Sequence, residues 1–180
     1  GETITADVTA VGDIAINEAT GADFASVTTT DGAITLSATA NSTATSVIAG
    51  GLDDSVAITL TGGDLEVDVI TAAGDGDVTL TLNTLATQDV LDADGDSLIT
   101  ADDLTIDAGG NIGSATNAIN TVVAEYLNID AGSSIWLSDT NVLGVNVTAV
   151  DAANGMITIM TAGNTLLTHV ASTTDNDLNR

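Results

Sequence analysis

Val56-Ala57-Ile58-Thr59-Leu60 and Val78-Thr79-Leu80-Thr81-Leu82 are five-residue phrases in which an apolar side chain alternates with a small or hydroxyl-bearing one. A period of two puts every second side chain on the same side of an extended backbone, so each phrase reads as a short strand with one face for a core and one for solvent. The phrase returns on both sides of this pair. Asp13-Ile14-Ala15-Ile16 and Ala33-Ile34-Thr35-Leu36 precede it; Leu104-Thr105-Ile106, Leu127-Asn128-Ile129, Ile135-Trp136-Leu137 and Ile157-Thr158-Ile159 follow. Recurrence at roughly 20–26 residues is a solenoid period. Secondary phrases, among them Ser26-Val27-Thr28, Ser46-Val47-Ile48, Val67-Asp68-Val69 and Val145-Asn146-Val147, fall in between, so each coil holds more than one strand. Clusters such as Thr30-Asp31-Gly32, Gly62-Gly63-Asp64 and Ala73-Gly74-Asp75-Gly76-Asp77 supply the turns. The expected fold is all-β: a right-handed parallel β-helix of about eight coils, its hand taken from the crossover preference of parallel strands.

Composition fits one domain over residues 1–180. The chain is 44% hydrophobic but only 2% aromatic, so its interior is built from Val, Ile, Leu and Ala, a narrow core repeated coil after coil. Dense β-branching leaves one short helical turn expected, after Thr100-Ala101-Asp102-Asp103. No run of about 18 apolar residues is present to span a bilayer, and the expectation is no membrane insertion. The absence of Cys excludes disulfides and thiolate metal sites. The net charge is −25, with Arg180 the single basic side chain. Such a surface repels nucleic acid and anionic lipid and attracts divalent cations, which excludes a nucleic-acid partner and points to a secreted, extracellular or cell-surface protein in a salty or calcium-rich medium.

A longer echo overlies the coils. Asp13-Ile14-Ala15-Ile16-Asn17-Glu18 is answered by Ser134-Ile135-Trp136-Leu137-Ser138-Asp139, and Gly32-Ala33-Ile34-Thr35-Leu36 by Gly155-Met156-Ile157-Thr158-Ile159. Residues 13–49 are thus echoed by 134–172, a super-repeat of roughly 120 residues. With no polar cap evident, the expected partner is a second unit stacked end to end on open strand edges.

Asp92-Ala93-Asp94-Gly95-Asp96, then Ile99-Thr100-Ala101-Asp102-Asp103-Leu104-Thr105-Ile106, Gly110-Asn111-Ile112-Gly113-Ser114 and Ala118-Ile119-Asn120-Thr121 resemble the repeats of giant bacterial filamentous-haemagglutinin-like exoproteins. Gly12-Asp13-Ile14-Ala15-Ile16-Asn17-Glu18 and Ile70-Thr71-Ala72-Ala73-Gly74-Asp75 extend the resemblance over nearly all the chain. It implies a right-handed parallel β-helix, secretion, and a stalk or adhesive role at the cell surface, with a host or neighbouring-cell ligand as a second kind of partner.

The sharpest local signal is a candidate calcium loop. Asp92, Asp94, Asp96 and Asp103 stand at positions 1, 3, 5 and 12, with the Leu98 carbonyl at position 7. Position 6, ordinarily Gly, is Ser97, and position 12 is Asp where Glu is usual. The plain reading is a solvated acidic loop. Asp75-Gly76-Asp77 lacks the tandem nonapeptides of calcium β-rolls. His169 should point outward, with no Gly-x-Ser-x-Gly motif to make it catalytic. Trp136, between Ile135 and Leu137, belongs on an outer face; it and Tyr126 are the residues able to stack on sugars.

No residue set amounts to a catalytic site. A lyase acting on uronate chains needs cations, and only Arg180 is present. Ice adsorption needs Thr at the same place in every coil, whereas Thr here alternates with Asn, Asp, Ala and Ser. The expected function is a non-enzymatic structural unit of an extracellular fibre, stalk or adhesin shaft; a receptor- or glycan-binding adhesin module is the alternative.

Overall fold

The computed structural model describes residues 1–92 and 94–173, and these contain sixteen strands. They are β1 (Glu2–Val11), β2 (Ile14–Asn17), β3 (Ala22–Asp31), β4 (Ile34–Ala38), β5 (Ser42–Ala49), β6 (Val56–Leu60), β7 (Leu65–Ala72) and β8 (Val78–Leu82). Then come β9 (Val90–Leu91), β10 (Leu98–Ala108), β11 (Ile119–Ala131), β12 (Ile135–Asp139), β13 (Val145–Ala152), β14 (Ile157–Thr161), β15 (Thr165–Leu167) and β16 (Val170–Ser172).

Every strand pairing is parallel, and each strand pairs with its counterpart one coil on. One row of side chains shows the winding. Ile16, Leu36, Ile58, Leu80, Ile106, Ile129, Val150 and Val170 are register partners in succession, one from each coil. Neighbours in the row are 20 to 26 residues apart in sequence. The fold is therefore a parallel β-solenoid of about eight turns, as the phrase spacing predicts.

The core is this row and its neighbours. The six inner members are buried, while Ile16 is half-buried and Val170 is 45% exposed, because among the described residues each has a register neighbour on one side only. Phe24, the buried aromatic residue, fills the interior of the second coil. Long strands run around corners: β10 pairs with β7 at its start and with β8 at its end, and its register with β11 shifts between Ala101 and Asp103. Close stacking at the corners requires small residues. A Cβ on Gly132 would collide with the backbone carbonyl of Gly109 in the coil before it.

One expectation changes in the structure. The helical turn after Thr100 is absent, since Thr100 to Asp103 lie within β10, where Ile99 and Thr100 pair with both the preceding and the following coil and Ala101 pairs with the following one. Ladder pairing on two sides outweighs the weak local signal of Thr and Asp. The echoed phrases stand on different faces: Ile14–Asn17 stacks under β4, β6 and β8, whereas Ile135 stacks on Ile112, which stacks on Val90. Trp136 is half-exposed between buried Ile135 and Leu137, and His169 is exposed.

Candidate functional site

The acidic loop after β9 is built around Asp92. Its side chain is 6% exposed, and both oxygens are used within the loop: Oδ1 accepts from Gly95 N at 2.6 Å, and Oδ2 from Ser97 N at 3.2 Å and Ser97 Oγ at 2.6 Å. Gly95 has φ near 93°, a left-handed conformation that a side chain disfavours. Asn117 Nδ2 donates to the Asp92 carbonyl at 3.0 Å, and Asn120 N to Ser97 Oγ at 3.1 Å, tying the loop to the next coil.

Carboxylate oxygens of Asp92, Asp94 and Asp96 lie within 4.8 Å of one another. Asp94 and Asp96 are exposed and share a hydrogen bond; it holds the Asp94 carboxyl below the usual aspartate range and pushes that of Asp96 above it. Three of the four expected calcium ligands thus converge. Asp103 does not join them. It sits in β10, where its backbone N donates to Asp77 Oδ1 at 3.3 Å and its Oδ1 accepts from Tyr126 N at 3.1 Å. The linear spacing of positions 1, 3, 5 and 12 presumes one continuous loop, but the chain enters a strand at Leu98, which carries position 12 to another corner.

Asp103 belongs to a second group, with Asp77 and Asp102, whose carboxylate oxygens also lie within 4.8 Å of one another. Partial burial, then the charge of Asp77, raise the Asp103 carboxyl, with the Tyr126 N–H opposing; burial, then Glu125, raise that of Asp102. This group is part of a wider device that sequence reasoning missed. At the corner before β7, β9 and β12, a side-chain oxygen of one coil accepts the backbone N–H of the corresponding residue in the next. Asn41 Oδ1 takes Asp64 N at 3.1 Å, Asp64 Oδ1 takes Asp89 N at 2.9 Å, and Asp89 Oδ1 takes Asn111 N. Asn111 Oδ1 then takes Ser134 N at 3.2 Å, and Ser134 Oγ takes Met156 N at 3.0 Å. At the other corner Asp13 Oδ1 takes Ala33 N, Ser55 Oγ takes Asp77 N, Asp77 takes Asp103 and Asp103 takes Tyr126. The available signal was an Asp, Asn or Ser immediately before an apolar phrase.

Two further buried polar residues complete the pattern. Gln88 is 1% exposed: Oε1 accepts from Thr84 Oγ1 at 2.6 Å and Leu85 N at 2.7 Å, and Nε2 donates to the Leu60 and Gly63 carbonyls of the previous coil at 3.2 and 3.1 Å. Asp139, 2% exposed, accepts from Thr121 Oγ1, Val123 N and Asn141 N, each at 3.0 Å. His169 Nε2 lies 3.0 Å from Asp151 Oδ1.

Carboxylates also stack along one face, where Asp107, Asp130 and Asp151 are in register; burial first, then those two neighbours, raise the Asp130 carboxyl. Asp96, Asp102, Asp103 and Asp130, whose carboxyls are raised above the ordinary aspartate value of 3.8, hold their protons more tightly in the folded chain than in the unfolded one, and Asp94, lowered, opposes them. Stability contributed by a raised carboxyl is present when it is protonated and falls as pH rises through its folded value. Thermal unfolding at low salt should therefore move to higher temperature as pH falls from neutral toward the range in which these raised carboxyls take up protons. A fall in the midpoint over that range would contradict this reading of the acidic corners.

The fold and its corners define the class: a parallel β-solenoid of about eight turns held by aliphatic rows inside and side-chain-to-amide ladders at the corners. Compared with known proteins, the chain matches no family model, no curated protein and no solved structure.

Proposed function

We propose that the chain is a non-enzymatic structural segment of an extracellular fibre, stalk or adhesin shaft, of the filamentous-haemagglutinin-like kind, stacking or continuing end to end. The observation that carries this reading is the unbroken row from Ile16 to Val170, in which each coil repeats the packing of the last. Chemistry along the axis supports the stacking. The first coil carries Glu2, Asp7, Asp13 and Glu18, whereas residues 152–173 contain no Asp or Glu. The last described coil presents exposed Met160, Leu166, Leu167 and Val170. A contact between two unlike ends, an acidic first coil and an edge with exposed apolar side chains, propagates as a filament. Calcium is proposed as a counter-ion at Asp92, Asp94 and Asp96 and at Asp77, Asp102 and Asp103, relieving repulsion in a chain of net charge −25.

Negative-stain electron microscopy of the purified chain, with calcium and then with a chelator, tests the reading. Long uniform fibres that shorten on chelation are expected. Single short particles in both conditions would overturn end-to-end stacking and the metal's part in it. A glycan-binding module is the second reading, favoured by the exposed Tyr126 ring beside an open groove of about 330 Å³ that Asp103, Thr105, Asn128 and Thr148 also line.

A further inference from the structure

The chain contains four dipeptides in which Asp or Asn precedes Gly: Asp31-Gly32, Asp75-Gly76, Asp94-Gly95 and Asn154-Gly155. Such pairs are where a backbone can attack its own side chain, because Gly offers an unhindered amide nitrogen. The fold treats them unequally. Gly32 N donates to Asp54 Oδ2 at 2.6 Å, Gly76 N to the Ala73 carbonyl at 3.2 Å, and Gly95 N to Asp92 Oδ1 at 2.6 Å. Among the described residues, Gly155 N donates to nothing, and the Asn154 side chain, exposed in the turn between β13 and β14, has no hydrogen-bond partner. The pair is also the chain's one Asn-Gly, whose leaving group is ammonia.

We infer that Asn154-Gly155 is a site of spontaneous deamidation and isoaspartate formation, a covalent modification made by the folded chain without a catalyst. The Gly155 nitrogen gives its proton to solvent base and bonds to Asn154 Cγ. The Cγ–Nδ2 bond breaks, and Nδ2 leaves as ammonia, closing a five-membered succinimide. Water then opens the ring at either carbonyl, giving Asp or isoaspartate at residue 154. One water is consumed and one ammonia released, with no oxidant or reductant. In the other three pairs the glycine proton is already engaged, which holds the nitrogen away from attack.

The surroundings keep the pair in place. A Cβ on Gly155 would collide with Ser134 Oγ, so a bulkier residue is resisted there, and the Gly155 carbonyl accepts from Ser172 Oγ at 2.8 Å. The product matters because of where it forms. It introduces a carboxylate into the stretch 152–173, which has none, and the isoaspartyl form adds a methylene to the backbone of the turn joining the last two coils.

The test uses the folded full chain, held at mildly alkaline pH and sampled over weeks beside a denatured sample. Pepsin digestion at acid pH suits it, since Arg180 is the only site for trypsin. Peptides are scored for a gain of one mass unit and for isoaspartate by enzymatic methyl transfer. The expected result is conversion at residue 154 within about tenfold of the denatured rate, before isoaspartate appears at residues 31, 75 or 94, and none in an Asn154→Gln variant. Asn154 remaining intact while the denatured sample converts, or isoaspartate arising first at one of the three Asp-Gly pairs, would overturn the inference.

Discussion

Gln88→Glu is expected to unfold at a markedly lower temperature than the parent chain at neutral pH, and to regain part of the loss on acidification. The Gln88 amide group donates to the Leu60 and Gly63 carbonyls of the coil before, at 3.2 and 3.1 Å. A carboxylate has no hydrogen to give them, so two carbonyls lose their donor and a charge is buried at a position 1% exposed. Each unsatisfied buried group costs about 1–3 kcal/mol, for a total of about 2–6 kcal/mol before the charge is counted. The buried Glu must bind a proton to restore one donor, so its folded pKa stands above the unfolded value and the deficit shrinks as pH falls. Gln88→Leu separates the two causes, because its deficit relative to the parent should not change with pH. A Gln88→Glu deficit that is equally flat with pH would rule out the buried-charge account.

Leu80→Ala should cost about 2–5 kcal/mol, the usual range for a large-to-small change in a packed interior. Leu80 is fully buried, between Ile58 in the coil before and Ile106 in the coil after, so the cavity is lined from both sides. Ile16→Ala, the same kind of truncation in the same row, should cost far less, because Ile16 is half-buried and, among the described residues, its register partner in the row is Leu36 alone. Chemical denaturation of both variants measures the ratio. Equal losses at the two positions would mean that the coils do not stabilise one another through nearest neighbours.

Much of this fold is legible in the sequence because burial demands it. Thr79 and Thr81 alternate with Val78, Leu80 and Leu82, and no arrangement other than a strand with one buried face satisfies that order. Coil length follows from counting between phrases. What the phrases hide is which face each occupies. Both corners place an Asp, Asn or Ser before an apolar phrase, since both need a side-chain oxygen for the next coil's N–H, so Asp13-Ile14 and Ser134-Ile135 look alike while standing on different faces. The acidic site was half legible for a related reason. Asp92, Asp94 and Asp96 are adjacent in one loop and meet as their spacing suggests; Asp103 is five residues past the point where a strand begins, and only the pairing of β10 with its neighbours reveals that it serves Tyr126. Gln88 carried no signal, because its partners Leu60 and Gly63 are one coil away.

The corner ladders bear on how such a molecule changes size over generations. Each rung joins a side chain to the amide one coil on, and Asn, Asp and Ser all serve as the acceptor. A duplicated stretch of one coil brings its own acceptor and its own amide, so it can be spliced between two existing coils while every older contact is re-formed with an equivalent partner. Length then grows in steps of about 4.8 Å, one inter-strand spacing at a time. Coils of 20 to 26 residues all keep the row in register, so small differences in length are taken up between the strands, and drift within a rung costs little while the acceptor oxygen survives. Reach becomes a heritable quantity set by copy number, adjustable without redesigning the cross-section.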